Sequence, residues 1–219
     1  SKAMTIGAAG GTTTFNQSVT VSEDLTVGGA STDNLLCNAQ FNSENADLLI
    51  RGTGTDPMKV GRGGSAVNTN TAVGVRTLNS VTSGSQNNGY GYETLFTVNS
   101  GASNTAYGHR CLRATGIGNN NVAIGKDVLL VNTSGSENVG IGNNVLEQNI
   151  DGKHNVCIGH YAGFDVFGDG NVLIGPAYNE NSGDVTFRPP NISGDNQLVI
   201  GSGGQAWVRG DANFDITFN

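Results

Sequence analysis

Charge is scarce in this chain. Asp, Glu, Lys and Arg make up 13% of its 219 residues, roughly half the share of about 25% usual in globular domains. The charge present leans acidic, with 18 Asp and Glu against 11 Lys and Arg. No basic stripe exists to neutralise phosphates, so nucleic acid is disfavoured as a partner, and an anionic membrane surface equally so. No run of 18 apolar residues occurs, so no membrane insertion is expected. Catalytic signatures are missing too: there is no GxSxG, HExxH, P-loop or dinucleotide fingerprint. The expectation is a protein that is not an enzyme, with no cofactor and no metal. Cysteine is limited to Cys37, Cys111 and Cys157, odd in number and without a CxxC pair, which reads as buried small side chains rather than disulfides. Asp165, Asp169 and Asp184 fall near one another in the sequence, but nothing sets the spacing that glycan hydrolysis needs.

Against these absences stand 34 Gly and 28 Asn. They are periodic. Seven times an Asn is followed four residues later by a Gly: Asn70 and Gly74, Asn87 and Gly91, Asn104 and Gly108, Asn121 and Gly125, Asn138 and Gly142, Asn155 and Gly159, Asn171 and Gly175. Five of the six steps are 17 residues and the last is 16. A short, regular period means a solenoid, one coil per repeat, each coil stacking on its neighbours.

Between Asn and Gly the residues alternate. Thr71, Asn88, Thr105, Val122, Val139, Val156 and Val172 hold one position, and Val73, Tyr90, Tyr107, Ile124, Ile141, Ile158 and Ile174 the next but one. Small residues such as Ala72, Gly89, Ala106 and Ala123 sit between them. A period of two is a strand, and apolar residues on both faces imply burial on both sides. One face lines the coil. The other needs a flat, close neighbour, for which a second chain is the economical answer; a trimer is expected to use the small-residue face. Stacked in-register Asn side chains can form an amide ladder.

The rest of the unit keeps register. Leu78, Leu95, Leu112, Leu129 and Leu146 follow the strand Gly by four residues, and a second Gly series runs through Gly84, Gly101, Gly118, Gly135, Gly152 and Gly168. Each coil therefore reads strand, turn, short apolar segment, Gly turn. At about 4.8 Å per stacked strand, seven coils make a rod segment of roughly 34 Å. The two positions between Gly and Leu, among them Tyr92-Glu93, His109-Arg110, Lys126-Asp127 and His160-Tyr161, are expected to look outward. Tyr92, His109, Arg110, His160 and Tyr161 are the candidate binding residues there, to which Trp207 and Arg209 are added near the C-terminus.

The chain divides into a β-rich N-terminal shaft or connector over residues 1–57, the repeats over 58–185, and an irregular C-terminal cap or tip over 186–219. Thr12–Phe15, Ser18–Val21, Asp24–Val27 and Leu48–Ile50 are short strand candidates. The single Trp and the final two Phe are expected to close the open end. The segment 196–201 is the next unit comparable to the repeats, offset by an insertion that holds Pro189-Pro190.

Asn121-Val122-Ala123-Ile124-Gly125 and Asn138-Val139-Gly140-Ile141-Gly142 resemble the head repeats of YadA-like trimeric autotransporter adhesins, over about residues 68–176. The flanking segments 19–29 and 207–211 are similar to bacteriophage tail fibres, which also use YadA-like repeats. The resemblance implies a left-handed parallel β-roll assembled as an intertwined homotrimer. It further implies a tail-fibre or virion-appendage component, located on the virion beside other virion proteins and attaching to a glycan or protein receptor on the bacterial cell surface. The alternative is an adhesin head displayed on a bacterial surface. Less favoured are a polysaccharide-degrading fibre and a monomeric binding solenoid.

Overall fold

The computed structural model describes residues 48–50, 56, 58–63, 69–176, 193–202, 205–213 and 215–218. The strand candidates within residues 1–47 lie outside these, as do Cys37, Asp184, Phe214 and the prolines of the insertion. Among the described residues the protein is all-β, with no helix. The strands are β1 (Leu48–Ile50), β2 (Met58–Gly61), β3 (Thr71–Val75), β4 (Ser80–Val81), β5 (Asn88–Tyr92), β6 (Thr97–Val98), β7 (Thr105–His109) and β8 (Ala114–Thr115). They continue with β9 (Val122–Lys126), β10 (Val139–Asn143), β11 (Val156–His160), β12 (Val172–Ile174), β13 (Leu198–Ser202), β14 (Gln205–Gly210) and β15 (Ile216–Phe218).

One sheet of twelve strands carries the architecture, in the order β1-β2-β3-β5-β7-β9-β10-β11-β12-β13-β14-β15. From β3 to β13 every pairing is parallel and in register: Val122 lies beside Val139, Val139 beside Val156, and Val156 beside Val172. A narrow second sheet, β4-β6-β8, is also parallel. The described residues thus form the expected parallel β-solenoid, about six turns of 17 residues. After the insertion the chain rejoins the stack at β13. Antiparallel strands flank the parallel stack on both sides, β1 and β2 before β3, and β14 and β15 after β13.

The Asn at the start of each strand builds the expected ladder. The Asn121 side chain donates to the Gly135 carbonyl at 2.9 Å and to Asn104 Oδ1 at 3.0 Å. Its own Oδ1 accepts from the Asn138 backbone N–H at 3.0 Å and the Asn138 amide at 3.1 Å. Every ladder Asn from Asn70 to Asn171 is buried, and each side chain donates to a turn Gly carbonyl and accepts the backbone N–H of the next ladder residue. The insertion does not break the ladder. Gln197 takes the eighth place, donating its backbone N–H to Asn171 Oδ1 at 3.0 Å and its longer side-chain amide to the Gly194 carbonyl at 2.8 Å.

The corners are made by left-handed residues, few of which are glycine. Three positions per coil have φ near +50°: the residue before the ladder Asn, as in Glu137 (60°), the second after the strand Gly, as in Asp127 (54°), and the ladder Leu, as in Leu129 (50°). This conformation costs an L-residue roughly 1–2 kcal/mol. It recurs because it aims each corner N–H along the stacking direction. Glu137 N–H reaches the Asn119 carbonyl, Asp127 N–H the His109 carbonyl and Leu129 N–H the Val145 carbonyl, each at 2.9 Å. Where the Leu column stops, Gly163 holds the same place with φ 62°. The strand Gly is irreplaceable for another reason: a Cβ on Gly125 would lie 1.7 Å from the Gly142 carbonyl oxygen.

The core corrects the expected assignment of faces. The small residues point inward: Ala72, Ala106, Ala123 and Cys157 are fully buried, against the fully buried Leu column. They are small because the coil is narrow. A Cβ on Gly140 would come within 2.6 Å of a Val128 methyl, and a Cβ on Gly163 within 2.6 Å of the Cys157 sulfur. Large and small therefore alternate across each coil. The small-residue face is the solenoid interior and cannot be an interface between chains. Each buried Leu contributes roughly 1.5–3 kcal/mol. Cys111 and Cys157 are buried free thiols, and burial pushes the Cys111 thiol up to about 11 and raises that of Cys157 as well.

Within the C-terminal stretch, β13 (Leu198–Ser202) and β14 (Gln205–Gly210) continue the sheet. Trp207 (54% exposed) and Phe218 (79% exposed) do not close the end by burial. Antiparallel strands extend the sheet there instead, which satisfies the backbone of β13 without an apolar plug.

Candidate functional site

The β-branched and aromatic residues that alternate with the buried small ones are left facing outward on the parallel stack. Val122, Val139, Val156, Val172 and Leu198 form one cross-strand column, and Ile124, Ile141, Ile158, Ile174 and Ile200 form another. Ile124, Ile158 and Ile174 are each more than a third exposed. Five strands thus present a continuous aliphatic surface at about 4.8 Å per row. Towards the N-terminal side the Ile column becomes aromatic, with Tyr107 and Tyr90, while the Val column turns polar, with Thr105 and Asn88. Tyr90 meets Tyr107 at a ring separation of 6.0 Å, and Tyr107 is 60% exposed.

The sequence-derived binding candidates are distributed over three places. Tyr92 and His109 are neighbours in adjacent strands, with rings stacked at 5.2 Å and 14°. Arg110 lies at the following corner, where its Nε donates to Asp127 Oδ1 at 2.6 Å. His160 and Tyr161 lie three coils from His109 and contact each other edge to face at 4.5 Å, with Tyr161 leaning on Phe164 and the core. Trp207 and Arg209 are on β14, beyond the parallel stack. Arg209 lies directly opposite the fully buried Val199, and its Nε is buried without a hydrogen-bond partner. The structure therefore brings Tyr92, His109 and Arg110 into one neighbourhood, but gathers neither the His160 pair nor the β14 pair with them.

Two corner residues expected to look outward are buried instead. Glu93 and Asp127 are 5% and 3% exposed. Glu93 accepts from Arg76 at 2.5 Å and Arg113 at 2.8 Å, and both guanidinium groups lie over the Phe96 ring, at 4.7 and 5.2 Å. The Arg113 hydrogen bond, opposed by desolvation, holds the Glu93 carboxyl below the usual range. Asp127 is met by Arg110, with Lys126 at 3.8 Å and His109 at 3.9 Å. The same hydrogen bond to Asp127 raises the Arg110 guanidinium. These are coil-to-coil clamps. Sequence reasoning missed them because a side chain at a left-handed corner folds back along the stack, which strand alternation does not foretell.

Among the described residues no group of three or more His, Cys, Asp or Glu is placed to hold a metal ion, and no helix is long and apolar enough to cross a membrane. His154 meets Glu137 at 3.0 Å on the surface. No protein-family model, no curated protein and no solved structure matches the chain.

Proposed function

We propose that the chain is a structural and attachment component of a bacteriophage tail fibre or related virion appendage. Three copies pack side by side into a stiff rod that holds a glycan or protein receptor on a bacterial surface. The observation that carries this reading is the outward aliphatic face from β9 to β13. A solitary solenoid gains nothing from two uninterrupted columns of Val and Ile facing water. Contiguous exposed apolar surface of this kind marks a contact with protein. A second copy suits it because the surface is flat, repeats every coil and carries no charge in its two columns, so an identical column can lie along it. The sequence resemblance to YadA-like repeats and phage fibres supports the same assembly. Attachment would then act by avidity, three weak sites on one rod raising the effective concentration.

Light scattering on the intact chain tests the assembly. A native mass near three times 22.5 kDa is expected. Placing charge in the outward column with Ile124→Lys and Ile158→Lys should return it to one chain mass while the far-UV spectrum stays β-rich. A wild-type mass of one chain would overturn the trimer and with it the fibre reading. Sedimentation with bacterial cells then tests attachment.

A further inference from the structure

The Gly turns leave a groove that none of the sequence-derived binding candidates line. Its floor is the second Gly column. A Cβ on Gly118, Gly135, Gly152 or Gly168 would lie between 2.1 and 2.7 Å from the carbonyl oxygen of the next Gly in the stack, so no side chain can rise there. One wall stands on the residue before each Gly: Ile117, Ser134, Asp151 and Phe167. The other stands on the residue after: Asn119, Ser136, Lys153, Asp169 and Asp195. The space enclosed is about 600 Å³. It runs along the stacking direction over four coil steps, roughly 19 Å at the spacing of stacked strands.

We propose that this groove binds a linear, uncharged glycan, such as the neutral stretches of a bacterial surface polysaccharide. The inference rests on the attachment reading above and names the receptor class and its place. Four observations converge on it. The second wall is preorganised by the stack: Asn119 Oδ1 accepts the Ala102 N–H at 2.8 Å, Ser136 Oγ the Asn119 N–H at 3.1 Å, Asp169 Oδ1 the Lys153 N–H at 2.7 Å, and Asp195 Oδ1 the Asp169 N–H at 2.7 Å. One oxygen of each aspartate is fixed by this bond, and the other is left to accept from a sugar hydroxyl.

Apolar platforms are present where sugar faces need them. Phe167 and Ile117 are exposed on the first wall three coils apart, with hydroxyl and carboxylate groups between them. A chain of rings laid along the floor meets apolar faces at two points and hydrogen-bonding groups at each coil between. Charge then selects the class. Three aspartates against one lysine repel a uronic, sulfated or phosphorylated polymer. A peptide is disfavoured because the wall N–H groups of Asn119, Lys153 and Asp169 already bond to neighbouring coils, so no free strand edge is offered for augmentation.

The test is binding of the intact protein to an array of linear oligosaccharides of bacterial surface type, neutral members beside uronic- and phosphate-bearing ones. Sedimentation with bacterial cells runs in parallel. Neutral linear members should bind and anionic ones should not. Phe167→Ala, which removes a stacking platform, should weaken binding about tenfold. Ser134→Trp, which fills the groove, should abolish it. Both variants should keep the wild-type native mass and melting curve. Preference for anionic members, absence of any neutral binder, or unchanged binding in both variants would each overturn the groove. If cells are still captured by both variants, attachment stands and the receptor lies elsewhere. If the wild type captures neither cells nor glycans, the groove and the attachment reading fall together.

Discussion

At the scale of single residues the ladder Asn and the left-handed Leu decide stability. Asn121→Ala would strip the Gly135 carbonyl and the Asn138 N–H of their buried partners. Orphaned buried groups cost roughly 1–3 kcal/mol each, so a loss of about 2–6 kcal/mol is expected, read as a lower urea midpoint. Leu129 makes a less usual prediction. Leu129→Ala forfeits its burial, about 2–5 kcal/mol, and keeps the strained φ of 50°. Leu129→Gly forfeits the same burial but relieves the strain. Glycine should therefore be no worse than alanine here, against the ordinary penalty of roughly 0.5–1 kcal/mol; paired melts of the two variants check the order. Gly163, which takes this place opposite the bulkier Cys157, is the same exchange already present in the chain.

At the scale of elements, neighbouring coils are tied by charged clamps at their corners. Glu93 is the clearest. Its carboxyl is held below its ordinary value near 4.5 by Arg113 first, with Arg76 helping. Its folded-state value is thus lower than its unfolded one. The clamp contributes fully above about pH 4.5 and is lost as pH falls through the folded-state value. Thermal melts from about pH 3 to 7 should show this loss in the wild type, with part of the slope removed in Glu93→Gln. Arg113→Ala should move the loss to higher pH. How legible these elements were in sequence differed by kind. The strand repeats could be read from Asn-x-x-x-Gly because a two-residue alternation survives any tertiary arrangement. Glu93 and Asp127 could not, because their burial depends on the left-handed corner and on the Arg one coil away. The groove escaped for a related reason. Its walls are defined by the turn Gly, and only the stack shows that Ile117 and Phe167, 50 positions apart, share one wall.

At the scale of the whole molecule the solenoid is close to one-dimensional, each coil bonding only its two neighbours. Removing one entire coil should therefore be tolerated. Deleting residues 122–138 joins Asn121 to Val139 and lets Asn155 follow Asn121 in the ladder, with every column closing in register. The shortened chain should keep its β-rich circular dichroism and melt cooperatively at a modestly lower temperature. Deleting nine residues, 122–130, leaves the Asn ladder and the Leu column out of step and should abolish the cooperative melt. Equal behaviour of the two deletions would mean that side-chain register does not hold the stack.

The period, the strand positions, the Asn ladder and the Leu column were all determined by the sequence alone. A 17-residue repeat can satisfy its backbone and its apolar residues only by stacking on itself, so local pattern and global fold coincide. Which face looks inward was decided only in three dimensions. Alternation states that two faces differ but carries no sign. The sign came from the width of the coil: with Leu filling one side, the Val128 methyl leaves no room for a Cβ at Gly140, and the Cys157 sulfur none at Gly163. The β-branched residues were thereby turned outward, and the surface left exposed is the one that composition alone would have placed in a core.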